Sequence, residues 1–287
     1  MALNMEAENT TFPDLHIVEP QAPHTHTAIF LHGRGSNGPE FTEDLFSSKT
    51  SGGQDLPSLF PSWRWVFPSS GSRWNATFME HQSAWFDIAS LADTNRRQDL
   101  QIQGLKESSQ YVLGVIEREI ELLGGRSDNI IFGGLSQGMA TALWTLLCSP
   151  GRVKGRIGAF VGCCGWIPFT LHIDQAIQLY RSKYASELGT SMCLIMPAFL
   201  LGTTGCPPFD SKPEEVKAVL STPVLLLHGT DDAVVDISLG QQACQLLKEM
   251  GMDVKFYEYS RAENEGHWIK EPDGFDQIAA FLESKTS

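Results

Sequence analysis

Ser136, Asp232 and His267, in that chain order, carry the chemistry available to this sequence: a hydroxyl to attack an acyl carbon, a carboxylate to orient a base, and an imidazole to take the hydroxyl's proton. A serine hydroxyl is a poor nucleophile near neutral pH, so the reading depends on whether the surrounding elements deliver all three groups to one place. Ser136 lies in Gly-Leu-Ser-Gln-Gly, residues 134–138, entered by the apolar run 129–133. A Gly-x-Ser-x-Gly match arises by chance roughly 0.2 times in a chain of this size and composition, so the pentapeptide decides little alone. Its context decides more. Gly124, Gly125, Ser127 and Asp128 punctuate the chain before the run, and Met139, Ala140, Leu143, Trp144 and Leu147 recur at helical spacing after it. Strand, glycine turn and helix in that order predict a nucleophile elbow, with Gly134 and Gly138 sparing the sharp turn a collision with the neighbouring strand and helix.

Acid and base are expected at the carboxyl ends of the two last strands. The run 223–227 is continuous and apolar, as a buried parallel strand is, and it leads into His228-Gly-Thr-Asp-Asp232. Asp231 and Asp232 both stand in that loop, with Asp236 further on. The strand 254–259 follows, and Glu263-Asn-Glu-Gly-His-Trp268 brings His267 just past it. His228 is the rival base, at the tip of its strand and ahead of the acid. Each of these residues has an ordinary structural use in turns and caps. It is their order behind an elbow that points to catalysis. Acyl transfer also needs two donors for an oxyanion. The backbone N–H of Gln137 opens the helix after the serine, and the N–H of Arg34 is expected from the glycine-rich loop His32-Gly-Arg-Gly-Ser-Asn-Gly38. No Lys-Ser or Lys-Thr follows that loop, so it is not a P-loop.

Short apolar runs at 27–31, 65–67, 129–133, 157–162, 223–227 and 254–259 alternate with amphipathic stretches. This predicts the α/β class, with a mostly parallel central sheet covered by helices on both faces. The longest helix is expected over 98–123, where Ile102, Leu105, Val112, Ile116, Ile120 and Leu123 make one stripe. Another closes the chain after Pro272, with Phe275, Ile278, Ala279 and Leu282 on one face. The 287 residues suit a single domain, and the segment 166–217, too long for an ordinary connection, reads as an inserted lid. Within it, residues 192–201 are almost wholly apolar with two methionines, which suits contact with an acyl chain through Leu194 and Phe199 as well as it suits core packing.

Thirty-four acidic residues against 21 basic ones give a formal net charge of -13, which repels nucleic-acid backbones and anionic bilayers. Residues 1–10 have neither a basic start nor an apolar run, and no stretch reaches the roughly 18 apolar residues of a membrane span. A cytoplasmic protein without stable membrane insertion is expected. Six scattered cysteines fit buried thiols better than a disulfide framework or a metal site, and the pair Cys163-Cys164 reads as core. His24 and His26 read as a solvated loop, there being no third ligand nearby.

Leu31-His-Gly-Arg-Gly35, Trp85-Phe-Asp87, Gly133-Gly-Leu-Ser-Gln-Gly138, His228-Gly-Thr-Asp-Asp232 and Glu265-Gly-His267 together resemble the acyl-protein thioesterase and carboxylesterase (phospholipase/carboxylesterase) family of α/β-hydrolases over about 27–282. The family's His-Gly-x-x-Asp pattern falls on Asp232. The resemblance implies cytosolic hydrolysis of small-molecule or protein-linked thioesters and carboxylic esters through an acyl-enzyme, without a cofactor or metal. It also places Trp85 and Phe86 near the acyl site, where they are candidates for its apolar wall, with core packing as the alternative. Ala233 stands where the family has proline, Met139 where it has glycine, and Trp268 where smaller residues are frequent. These departures bear on the substrate. The same residues would serve an acyltransferase or a cyclising, releasing thioesterase of a natural-product pathway if water were excluded. A ligand-binding protein on this fold would be expected to lack a member of the triad.

Overall fold

Two short runs rich in β-branched and aromatic residues set the centre of the molecule: His26–Leu31 pairs on one side with the strand that enters the elbow and on the other with Trp63–Phe67. The computed structural model describes residues 10–75, 79–183 and 212–286. Among them the strands are β1 His16–Val18, β2 His26–Leu31, β3 Trp63–Phe67, β4 Ser72–Asn75, β5 Glu80–Ser83, β6 Ile130–Leu135, β7 Ala159–Cys163, β8 Val224–Gly229 and β9 Val254–Tyr259. Seven of these form one sheet in the order β1-β3-β2-β6-β7-β8-β9, parallel except for β1, which runs antiparallel to β3. β4 and β5 form a separate antiparallel hairpin.

The sheet order explains where a site can form. From β2 the chain goes outward to β3, then returns to the other side of β2 as β6, so the carboxyl ends of β2 and β6 flank a switch point where the connecting loops part. Gly33 to Ser36 leave from one of those ends and Ser136 from the other, with Leu31 paired to Gly134 in the register between them. β8 and β9 pair from Val224 with Val254 to Gly229 with Tyr259, which sends the loops bearing residues 231–236 and 261–268 out of the same edge.

Strands β6, β7 and β8 are buried along their whole length, as expected for parallel strands with both faces covered. On one face, the helix Asp99–Leu122 lays Leu105, Val112 and Ile116 against the helix Gln137–Leu147, with Ile102 and Ile120 at the margin of the same cluster. The other face is covered by Gly38–Ser47 and the closing helix Asp273–Thr286, which buries Phe275, Ile278, Ala279 and Leu282 as its pattern predicts. The six sequence-predicted strands are all present, with ends moved by three residues or fewer.

The segment 166–217 is only partly described, and residues 184–211, with Leu194 and Phe199 among them, lie outside the described residues. Its first part is core: Trp166, Ile167, Phe169, Ile173 and Ile177 are buried in the main hydrophobic cluster as the helix Thr170–Lys183 begins. Its last part, the helix Pro213–Leu220, packs Val216 and Val219 into that cluster.

Candidate active site

The elbow is built by close approach of backbones. A Cβ on Gly138 would meet the carbonyl oxygens of Leu31 at 2.2 Å and His32 at 2.5 Å, and one on Gly134 would meet Leu31 O and the carbonyl carbon of Gly138 at 2.7 Å. Side chains there would push β6 and the following helix off β2. Ser136 itself takes φ 57° and ψ -124°, a left-handed conformation that costs a non-glycine residue about 1–3 kcal/mol and persists because its surroundings over-determine it. Its N–H donates to Cys163 O at 2.8 Å and its carbonyl accepts from Ala140 N at 3.1 Å, so the strain is pinned from both ends.

A cavity of about 490 Å³ opens above this turn. Ser136, Gln137, Gly33, Arg34 and His267 all line it, so the sequence-predicted nucleophile, base and donors share one space. Gly33 runs so close that a Cβ there would sit 3.4 Å from Ser136 Cβ. The N–H of Gln137 is the first in its helix and has no acceptor one turn back. The loop bearing Arg34 is fastened by Gly35 N–H to Ser83 O at 2.9 Å, Ser36 N–H to Gly33 O at 3.3 Å and the Ser83 hydroxyl to Ser36 O at 2.6 Å.

Behind the loop, His32 is fully buried. Its Nε2 accepts from the Ser70 N–H at 2.9 Å, which leaves Nδ1–H to donate to Gly33 O at 2.7 Å. Both ring nitrogens are thereby committed to the neutral imidazole. Burial pulls its pKa down to about 4, and the Gly33 carbonyl and the charge of Glu40 only partly offset that.

On the opposite side, His267 Nδ1 lies 2.7 Å from Asp232 Oδ2. The acid's other oxygen accepts the N–H groups of Val234 at 2.9 Å and Val235 at 2.8 Å. Burial alone would raise the pKa of Asp232. Hydrogen bonds from His228, His267 and the Val235 N–H outweigh it and hold the carboxyl well below the usual carboxylate range. The rivals are separated cleanly. The Asp231 carboxylate turns away to the Arg261 N–H at 2.9 and 3.2 Å, and Asp236 caps the helix Ile237–Glu249 through the Ser238 N–H. His228 is wholly buried, outside the cavity lining, 2.9 Å from Val235 O and 3.4 Å from Asp232 Oδ2.

Trp85 and Phe86 do not form the apolar wall. Both have no exposure and neither lines the cavity. Gln137 draws them inward, its Oε1 accepting from Trp85 N–H at 3.0 Å and its Nε2 donating to Phe86 O at 2.8 Å, while Trp85 Nε1 donates to His32 O at 2.8 Å. Among the described residues the apolar wall is Phe41, Leu91, Leu135, Trp166, Val234 and Trp268, which the sequence pattern passed over except for the departure at Trp268. Met139, another departure, is buried against Gly162 and Gly165 and does not line the cavity.

Cys148, Cys163, Cys164 and Cys244 are buried and in no disulfide. Cys164 holds a special place among them: its sulfur is 3.2 Å from the Tyr259 hydroxyl, which donates to Trp268 O at 2.6 Å. Among the described residues, Cys164, Asp232 and His267 form a set whose donor atoms all lie within 4.8 Å of one another. His24 and His26 bond to Thr27 and Thr25 respectively. No described helix is long and apolar enough to cross a membrane.

The phospholipase/carboxylesterase family model matches residues 13–188 and 186–285. The acyl-protein thioesterase 1 of Schizosaccharomyces pombe is 31% identical over 173 residues, 60% of this chain and 68% of its own length. Carboxylesterase SOBER1 of Arabidopsis thaliana is 28% identical over 236 residues, 80% of this chain and 79% of its own. Acyl-protein thioesterase 2 of Zea mays superposes with a TM-score of 0.66 at 25% identity, covering 96% of this chain and 99% of that one. A sheet with its switch point at an elbow serine, and sequence matches running nearly end to end, lead to one statement: this chain belongs to the phospholipase/carboxylesterase family of α/β-hydrolases.

Proposed function

We propose that this chain is a serine hydrolase that cleaves carboxylic ester or thioester bonds of acyl substrates, small or protein-linked, in the cytoplasm. The observation that carries this is the 2.7 Å contact of the enclosed Asp232 with His267, which lines the same cavity as Ser136. With Nδ1–H donated to Asp232, His267 keeps Nε2 as the free base. Ser136 Oγ attacks the acyl carbon, its proton passes to His267 Nε2, and the oxygen that becomes negative is held by the N–H groups of Gln137 and Arg34. The C–O or C–S bond to the leaving group breaks as Nε2 returns that proton to it. Water, deprotonated by the same nitrogen, then attacks the acyl-serine and releases the acid. Asp232 stays ionised throughout and stabilises the transient imidazolium. Names given to the relatives, acyl-protein thioesterase and carboxylesterase, agree with that reaction class. The apolar wall of Phe41, Leu91, Leu135, Trp166, Val234 and Trp268 suits an acyl chain, and the acidic surface suits a substrate without phosphate-backbone character.

Ser136→Ala tests the reading. Turnover of p-nitrophenyl esters and acyl thioesters should fall by about 10⁴ to 10⁶ with unfolding unchanged, and labelling by a fluorophosphonate probe should vanish. Retained turnover would remove Ser136 from the role of nucleophile.

A further inference from the structure

We propose that Cys164, Asp232 and His267 form an inhibitory site for a thiophilic divalent cation of the Zn²⁺ class, which captures the triad's base from behind. The inference rests on the catalytic reading above, since it concerns regulation of the same imidazole. One sulfur, one carboxylate and one imidazole nitrogen lie within 4.8 Å of one another. A mixed S, O and N set of this kind selects Zn²⁺ over the harder Mg²⁺ and Ca²⁺. The mechanism just derived uses Asp232 and His267 and leaves Cys164 idle, although Tyr259 and the Trp268 carbonyl fix its sulfur beside the acid. His267 is the way in: its side chain is 14% exposed and lines the cavity, whereas the Asp232 side chain and Cys164 have no exposure.

Binding and catalysis exclude each other. Zn–N and Zn–O bonds of about 2.0–2.2 Å in a tetrahedral shell put nitrogen and oxygen about 3.3 Å apart, wider than the 2.7 Å of the resting Asp232–His267 contact. The ion therefore replaces that hydrogen bond. With the metal on Nδ1, the ring's one proton moves to Nε2, so the nitrogen that must accept the Ser136 proton is already occupied. Cys164 releases its thiol proton to solvent as the Zn–S bond forms. Thiolate, carboxylate and dication then sum to zero charge, the condition a buried site needs.

The test is inhibition of p-nitrophenyl ester hydrolysis by Zn²⁺, each variant normalised to its own metal-free rate. Chelator-reversible inhibition of the wild type is expected, with no effect of Mg²⁺ or Ca²⁺ at equal concentration, and Cys164→Ser and Cys164→Ala should each raise the half-inhibitory concentration about tenfold or more. Unchanged inhibition in both variants overturns the proposal. Co²⁺ titration of the intact protein gives a reading independent of activity and of how those variants fold. A thiolate-to-cobalt charge-transfer band should grow to one equivalent, in Ser136→Ala as in wild type, and be lost in His267→Ala. No band, or one that survives the loss of His267, overturns the metal site even if ester hydrolysis stands. An inactive wild type that shows the band would instead sink the catalytic reading alone.

Discussion

The two walls flanking Ser136 are stabilised by opposite means. On the acid wall, Asp232 is a buried charge enclosed by the Val234 and Val235 N–H groups and by His267, with His228 at 3.4 Å. On the donor wall, the loop from Gly33 to Ser36 is held by neutral groups, and its anchor His32 accepts one N–H and donates the other, a pattern that only the uncharged ring satisfies. Hydrogen bonds keep the carboxylate charged against its burial, whereas burial itself keeps the imidazole uncharged. The walls should therefore fail in different ways: the acid wall through loss of turnover with the fold intact, the donor wall through pH-dependent loss of the fold itself.

The largest effect is expected on the acid wall. Asn at 232 can still accept the Val234 and Val235 N–H groups through its carbonyl, but it presents an N–H₂ to His267 where a carboxylate stood. The ring is then driven to the tautomer with its proton on Nε2, and kcat should fall by about 10⁴ while thermal unfolding changes little. Steady-state kinetics and a melting curve of Asp232→Asn check both halves. A fall below tenfold would mean that the carboxylate does not set the tautomer, and the contrast between the walls would lose its first term.

On the donor wall the probe is pH. His32 has an ordinary pKa of 6.5 and a folded-state value of about 4. Since the folded value is the lower, the unfolded chain binds the extra proton, and this ring's contribution to stability is lost progressively as pH falls below 6.5 and is gone below about 4. The shift corresponds to roughly 3 kcal/mol. Urea unfolding of wild type and His32→Gln at a series of pH values from 7.5 to about 4 should show the wild type losing about that much more than the variant over the range. Parallel slopes in the two proteins would show that the ring is not held neutral by the fold.

What the sequence made legible was local or periodic. The elbow needs only one strand, two glycines and a helix in succession, and the chain order of acid and base follows from strands that alternate with helices. The site's wall was not legible because its members come from separate segments and share no pattern: Phe41 from a helix after β2, Leu91 from a loop, Trp268 from beside the base. Trp85 and Phe86 misled for a physical reason. An aromatic pair near a site reads as pocket, but a single glutamine side chain at 137 turns both backbones inward, and nothing at 85 or 86 signals that. His32 looked like part of a glycine loop because its partner Ser70 is 38 residues away. The β4–β5 hairpin has mostly polar strands, Ser72–Asn75 and Glu80–Ser83, without the apolar alternation that marks a half-buried one.

The smallest effect is the sharpest test of the comparison. Asp231 and Asp232 are neighbours in one loop, and composition and spacing treat them alike. The fold does not: one carboxylate is enclosed with no side-chain exposure, and the other reaches across an exposed turn to the Arg261 N–H. An Asn side chain at 231 keeps an oxygen for that N–H and gives up only a solvated charge. Asp231→Asn should therefore leave kcat/KM within about threefold and stability within about 0.5 kcal/mol of wild type. A loss of a hundredfold or more would mean that the 231–236 loop rearranges to use either carboxylate. The chemistry of the acid wall would then come from a mobile loop instead of one enclosed charge.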